Sequence, residues 1–106
     1  MDEKEKEETD SLEQEVFKTL DHQKRRDILR YVGEKKGATF TDIMNSIGIP
    51  DSPTLSYHLR SLAPFMKQVD DKYSLTPIGS DAYGLLLKTG SYNKLVLSRR
   101  KKKEVT

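Results

Sequence analysis

Signals that end and start helices lie within a few residues of one another at Gly48, Ser52 and Pro53, and they constrain the fold of this chain most strongly. Apolar periodicity predicts a short helix over residues 42–47, which Gly48 ends. Ser52 as an N-cap and Pro53 at the first helical position then predict a second helix over residues 52–63. Two helices joined by so short a link indicate a helix-turn-helix arrangement.

Hydrophobic periodicity and capping residues predict the remaining elements on either side of this pair. They are a helix at 12–20 opened by a capping box at Ser11, a helix capped by Asp21 that ends between Gly33 and Gly37, a strand at 38–40 before a cap at Thr41, strands at 66–69 and 72–75, and a final helix from Pro77 that Gly90 interrupts. The predicted fold class is therefore α+β, mostly α, with a short β-hairpin and flanking terminal helices.

The terminal helices carry apolar stripes that should face a core or a partner. The predicted stripes are Leu12, Val16, Phe17 and Leu20 on the first helix, and Ile78, Ala82, Leu85 and Leu86 on the last. A chain of 106 residues has room for one small domain, whose core is marginal when it stands alone. Burial of further apolar surface in an oligomer is therefore expected.

The net charge of +2 conceals a strong asymmetry along the chain. Residues 1–15 hold eight acids and two lysines, whereas residues 16–106 hold 17 Lys or Arg and nine Asp or Glu. We interpret residues 1–10 as an acidic, disordered arm, residues 11–90 as the folded domain, and residues 91–106 as a helical extension with a basic tail. A basic body suggests a polyanionic partner.

Several classes of protein are disfavoured by composition. The absence of cysteine excludes disulfides and thiolate metal sites, and no apolar run approaches the ~20 residues that span a bilayer. With an acidic N-terminus in place of a basic signal peptide, we expect a cytoplasmic protein with no membrane association. No nucleophile–base–acid set, phosphate loop or metal-ligand spacing is present, so we expect neither an enzyme nor a cofactor.

Three segments in order resemble the winged helix-turn-helix of the ArsR and MarR superfamily of transcriptional regulators, in an archaeal-like form. His22–Leu29 is similar to the H-P-x-R-R-x-I-L entry to the second helix, with Gln23 in place of the proline. Thr54–Leu62 is similar to the recognition-helix pattern S-x-H-L-x-x-L, and Tyr73–Gly79 to the Y-x-L-T-x-x-G that leaves the wing. The resemblance covers roughly residues 12–88.

The resemblance implies a homodimeric, sequence-specific DNA-binding regulator whose helix 52–63 enters the major groove of double-stranded DNA. Two departures modify this expectation. Metal sensing is not expected, because the only histidines, His22 and His58, lie in different helices and cysteine is absent. The wing turn is Asp70-Asp71, which would repel phosphate and puts contact by the wing tip in doubt. No effector ligand is indicated.

A helical wheel separates the two faces of helix 52–63. Leu55, Leu59 and Leu62 define its buried side, so Tyr57 and Arg60 point outward. Hydroxyl and guanidinium groups on such a face can hydrogen-bond base edges and phosphates, although an ordinary solvated helix face remains the alternative. The predicted DNA-binding residues are Ser52, Thr54, Ser56, Tyr57, Arg60 and Ser61 on this helix, Lys67 and Lys72 on the hairpin, and Lys24 and Arg26 on the second helix.

Two side chains near this helix are expected to be structural. His58 lies at the edge of the buried side, where it should pack and donate a hydrogen bond to the backbone. Arg25 lies near the apolar face of its helix and is predicted to form a salt bridge at the edge of the core. For Lys24 and Arg26, a structural role and phosphate contact are both open.

The dimer interface that the resemblance implies consists of terminal helices. The candidates are Val16, Leu20, Tyr83, Leu87, Tyr92 and Leu95. Intramolecular packing of the last helix is the alternative for these residues. The alternative function is a winged-helix module for protein–protein interaction, which the single arginine and absence of lysine on the outward face of helix 52–63 keep open.

Overall fold

The computed structural model describes residues 2–104, and it describes their side chains except those of Leu12 and residues 91–104. Within that range the fold is mostly helical with one small antiparallel sheet, as the sequence predicts. The elements are α1 (Glu3–Leu20), α2 (Gln23–Lys35), β1 (Ala38–Thr39), α3 (Phe40–Ile47), α4 (Ser52–Ser61), β2 (Met66–Val69), β3 (Lys72–Leu75) and α5 (Pro77–Glu104). None of the described helices is both long and apolar enough to cross a membrane.

The centre of the core lies among α2, α3 and α4. Its fully buried side chains are Ile28, Leu29, Val32, Ile43, Leu55, Leu62 and Phe65. Each contributes about 1.5–3 kcal/mol by leaving water. Ala82 and Leu86 of α5 extend the core, and Val16 and Leu20 of α1 are partly buried against it.

The sheet has the order β1-β3-β2, and all of its pairings are antiparallel. The predicted hairpin is confirmed, with Met66 opposite Leu75 and Val69 opposite Lys72. β1 adds a short third strand, in which Ala38 lies opposite Tyr73. The hairpin is therefore anchored to the segment that leads into α3.

The start of α5 rests on the chain just before the hairpin. The Thr76 amide donates to the Phe65 carbonyl at 3.0 Å, and the Gly79 amide donates to Thr76 Oγ1 at 3.1 Å. A Cβ atom at Gly79 would overlap the Phe65 carbonyl oxygen, so only glycine allows this approach. Thr76 therefore caps the start of α5.

The first helix begins at Glu3, so the prediction of a start at Leu12 behind a Ser11 capping box is wrong. Asp2 is the N-cap and accepts a hydrogen bond from the Glu5 amide at 2.8 Å. Acidic residues in this first turn complement the helix dipole, which favours the earlier start. Residues 3–10, expected as a disordered arm, are therefore helical in the structure.

The caps of the next three helices also differ from the predictions. Asp21 ends α1, and α2 starts behind His22, whose side chain makes no capping hydrogen bond. Thr39, rather than Thr41, caps α3 because Asp42 is correctly spaced to complete a capping box with it. Phe40, predicted to lie in the strand, is consequently the first residue of α3.

In the fourth helix, predicted over residues 52–63, the N-cap lies one residue and the end two residues earlier than predicted. Asp51 is the N-cap and accepts from the Thr54 amide at 2.8 Å, which makes Ser52 the first helical residue. The helix ends at Ser61 rather than Ala63, because Pro64 lacks the amide hydrogen needed to continue the ladder.

The predicted stripes of the terminal helices are only partly buried. Phe17 is 58% exposed, and Ile78 and Leu85 are 54% and 50% exposed, so of the two predicted alternatives, core or partner, these three do not pack in the core of this chain. They lie at the edges of their helices, where a single small core does not reach. Gly90 does not interrupt α5, which continues to Glu104.

Candidate nucleic-acid interface

The short link between α3 and α4 is shaped by the C-cap of one helix and the N-cap of the next. Gly48 ends α3 in the left-handed conformation with φ of 75°. The Met44 carbonyl accepts from the amides of Gly48 and Ile49, and the Ile49 side chain is buried in the core. The Asp51 cap then starts α4, so only residues 48–51 separate the two helices.

The two faces of α4 differ as the wheel predicts. Leu55, Leu59 and Leu62 are buried, whereas Thr54 and Arg60 are exposed and Tyr57 is 56% exposed. The structure brings the predicted α4 residues together on one solvent-accessible surface, the outward face, comprising Ser52, Thr54, Ser56, Tyr57, Arg60 and Ser61. Ser56 and Ser61 are half-buried at its edges.

Arg25 of α2 contacts two residues of α4. It is 5% exposed; its Nε donates to His58 Nδ1 at 3.2 Å, and its guanidinium carbon lies 5.5 Å from the centre of the Tyr57 ring. Among the described side chains no carboxylate pairs with Arg25, so the predicted salt bridge is not formed. His58 accepts this bond rather than donating one to the backbone, because its Nδ1 faces the guanidinium.

The environment of His58 favours its neutral form. Partial burial, followed by the nearby charges of Arg25 and His22, lowers the pKa of His58 below its ordinary value. The His22 and His58 ring centres lie 6.1 Å apart. At the start of α4, side-chain and backbone hydrogen bonds from Thr54 lower the pKa of Asp51, which remains exposed.

Lys24 and Arg26 are both engaged with helix ends in the structure. Lys24 Nζ donates to the Ile47 carbonyl at 3.0 Å, and Arg26 Nη1 donates to the Leu20 carbonyl at 2.6 Å. These cations satisfy free carbonyls and oppose the negative ends of the dipoles of α3 and α1. Both side chains therefore have a structural role, which is one of the two roles that the sequence left open.

The hairpin presents its two lysines away from α4. Residues opposite each other in the register share a face, so Lys67 and Lys72 lie with Val69 and Ser74 on one side of the sheet. The other side carries Gln68 and Tyr73, which line a groove beside α4 together with Ser56, Leu59, Arg60, Ala63 and Met66. The sequence analysis missed Gln68 and Tyr73, because strand alternation separates the two sides of the hairpin without indicating which side faces α4.

The dimer candidates fall into three groups. Val16 and Leu20 are partly buried on the core, and Tyr83 packs its ring where a Cβ at Gly33 would lie 2.5 Å from it, so these three make intramolecular contacts. Leu87 is 53% exposed. The side chains of Tyr92 and Leu95 lie outside the described residues.

A search among the described residues finds no cluster of three or more His, Cys, Asp or Glu side chains that could hold a metal ion.

Comparison with protein families identifies the domain. The family model described as Domain of unknown function (DUF7347) matches residues 13–86. The chain belongs to this family. The DUF7347 match ends at Leu86, a buried residue of α5, and contains the whole outward face, the hairpin and the Arg25–His58 pair. No curated protein and no solved structure matches the chain.

Proposed function

We propose that this chain is a winged-helix transcriptional regulator related to the ArsR and MarR superfamily, which binds double-stranded DNA in a sequence-specific manner as a cytoplasmic homodimer. The observation that carries the proposal is the outward face of α4, which is solvent-accessible along its length and supported by α3 across a short link. The α-helix fits the width of the major groove, and the hairpin beside α4 takes the position of a wing.

The outward face carries groups suited to two kinds of DNA contact. Arg60 can pair with guanine O6 and N7, and Tyr57 and the hydroxyls can bond to phosphates or base edges. The basic charge of residues 16–106 adds attraction for the backbone. The α4-facing positions of the wing, Gln68 and Tyr73, extend this surface.

The test is a base-by-base affinity profile, first of the wild type and then of Arg60→Ala. Loss of a bidentate contact should cost about 1–3 kcal/mol at one base position and relax specificity there. Lys88→Ala removes the same charge from an exposed position on α5 and should leave the profile unchanged. A homodimer should prefer an inverted repeat with half-sites about 34 Å apart.

A folded Arg60→Ala protein with the wild-type affinity and profile would contradict the assignment of the outward face. Binding of wild type should also weaken steeply with salt, because each neutralised phosphate releases counterions. A flat salt response would contradict the DNA-binding proposal as a whole.

A second candidate function is recognition of a protein partner through the same surface. It is favoured by the single cation on the outward face and by the exposed ring of Tyr57. Lys67 and Lys72, which would strengthen DNA binding, face away from α4. Complex formation that persists at high salt would support this candidate over DNA.

A further inference from the structure

A cavity of about 640 Å³ opens between α1 and α4, on the side of the outward face that Tyr57 occupies. Apolar groups form much of its lining, including Val16 of α1, Phe65 below α4 and Ile78 at the start of α5. Its volume falls within the range of about 300–1,000 Å³ that is typical of sites for small organic ligands.

The charges that line this cavity are unbalanced. Lys18, Arg25 and Arg60 contribute three cations, while Glu15 is the one acid among the lining residues. Arg25 is the most informative, because it is nearly fully buried and its Nε bonds to an uncharged imidazole rather than to a carboxylate. A buried cation without a counter-ion is costly, and an anion placed beside it lowers that cost.

We propose that this cavity binds a small amphipathic carboxylate. The carboxylate group pairs with Arg25 and Lys18, and the apolar body packs against Val16, Phe65 and Ile78. The charge of the lining selects an anion over a neutral or cationic molecule of the same shape. The apolar lining selects a hydrophobic body over a small hydrated anion such as phosphate.

Occupancy of the cavity has a consequence for the outward face, and this step rests on the proposed function. Tyr57, Arg60 and Ser61 line the cavity and also belong to that face. A bound carboxylate draws on the charge of Arg60 and covers Tyr57, so it competes with DNA for the same groups.

The first experiment measures ligand binding without DNA, with 1-naphthoate as the probe and its neutral amide, 1-naphthamide, as the matched ligand. Calorimetric titration should show 1-naphthoate binding at one site per chain, at least about tenfold tighter than the amide, as expected for a hydrogen-bonded ion pair.

Substitutions of lining residues test whether the probe binds in this cavity. Lys18→Glu should weaken 1-naphthoate binding about tenfold or more, and Ile78→Asp should do the same by placing a like charge beside the ligand. Lys88→Glu changes the net charge by the same amount as Lys18→Glu at an exposed site away from the cavity, and should leave the dissociation constant within about twofold.

Arg25→Met removes the buried cation and should abolish the preference for naphthoate over naphthamide. Because Arg25 is buried, circular dichroism must first show that this variant is folded. Lys18 and Ile78 are exposed, so their variants test the site even when Arg25→Met does not fold.

Equal affinities of wild type for naphthoate and naphthamide would overturn the proposal, as would equal weakening by Lys18→Glu and Lys88→Glu. Absence of probe binding to a folded wild-type protein would also overturn it. If Ile78→Asp then converted a dimer to monomers, the cavity would be assigned to a second copy of the chain instead.

The second experiment adds a mixed-sequence duplex. At ten times its dissociation constant, 1-naphthoate should raise the protein concentration needed for half-saturation of the duplex about elevenfold, as for direct competition. Probe binding with unchanged DNA affinity would retain the ligand site and overturn the competition. If the protein bound no DNA at all, the proposed function would fail while the first experiment still decided the ligand site.

Discussion

Apolar residues are buried to different extents in two regions of the molecule, the segment from α2 to α4 and the terminal helices α1 and α5. In the segment, Ile28, Ile43 and Leu55 are fully removed from water. On the terminal helices, Phe17 and Leu87 each keep more than half of their surface exposed. The difference indicates that the packing of α2, α3 and α4 is complete within one chain, whereas the terminal helices have apolar surface available for a partner.

The largest expected effect that distinguishes the two regions is a core truncation. Leu55→Ala should lower the free energy of unfolding by about 3–5 kcal/mol, because a fully buried leucine leaves a cavity. Leu87→Ala should change it by less than about 0.5 kcal/mol at a concentration where the chain is monomeric. Urea denaturation measures both, and equal losses in the monomer would remove the distinction.

The next effect concerns two glycines in α5, one of which touches the core region. Gly79→Ala should destabilise the protein by about 3 kcal/mol, because the new methyl group overlaps the Phe65 carbonyl and the backbone must move. Gly84→Ala meets no neighbouring atom and should stabilise the helix by about 0.5–1 kcal/mol. Thermal unfolding of both variants tests the contact, and a stabilised Gly79→Ala protein would disprove it.

A smaller effect is expected on self-association. If the exposed apolar residues of α5 meet a second copy, Leu87→Asp should raise the dimer dissociation constant at least about tenfold. Val69→Asp alters a similarly exposed residue in the hairpin and should leave it unchanged. Sedimentation equilibrium measures the constant, and a monomeric wild type would refute the homodimer.

The smallest effect is the pH dependence that arises from His58. Its pKa is lowered in the folded state, so the unfolded chain binds the proton more readily. Stability should be fully present above the ordinary pKa of about 6.5 and should decrease as the pH falls through that value towards the lowered folded pKa. His58→Asn, which can keep an acceptor for Arg25, should flatten the decrease that the wild type shows as the pH falls below about 6.5.

The exposed His22 provides the matched control for this measurement. His22→Asn should retain most of the pH dependence, because burial is the principal cause of the lowered pKa of His58. An unchanged slope in His58→Asn would show that another group is responsible.

Local signals predicted the hairpin better than they predicted the helix caps. The hairpin strands match the prediction in full, because the alternation of side chains and the two-residue turn are local properties. The predicted N-caps were wrong at Ser11, Asp21, Thr41 and Ser52, since several neighbouring residues can act as caps and the surrounding chain selects among them. Asp51 and Thr39 were selected because their side chains reach the third amide of the helix.

The predicted outward face was recovered on α4 because a helix fixes the angle between its residues, so the buried leucines determine which residues point outward. On the hairpin, the register places Gln68 and Tyr73 beside α4 and turns Lys67 and Lys72 away. Which side of a hairpin faces a neighbouring helix depends on packing between distant segments.

The sequence by itself determined the order of helices and strands, the short link between α3 and α4, and the residues that α4 exposes, because each depends on interactions between near neighbours. Only the tertiary structure decided that Arg25 bonds to His58, that α5 touches the Phe65 carbonyl, and that a cavity lined by three cations opens between α1 and α4. These contacts join residues far apart in the chain, so their geometry depends on how the whole core packs.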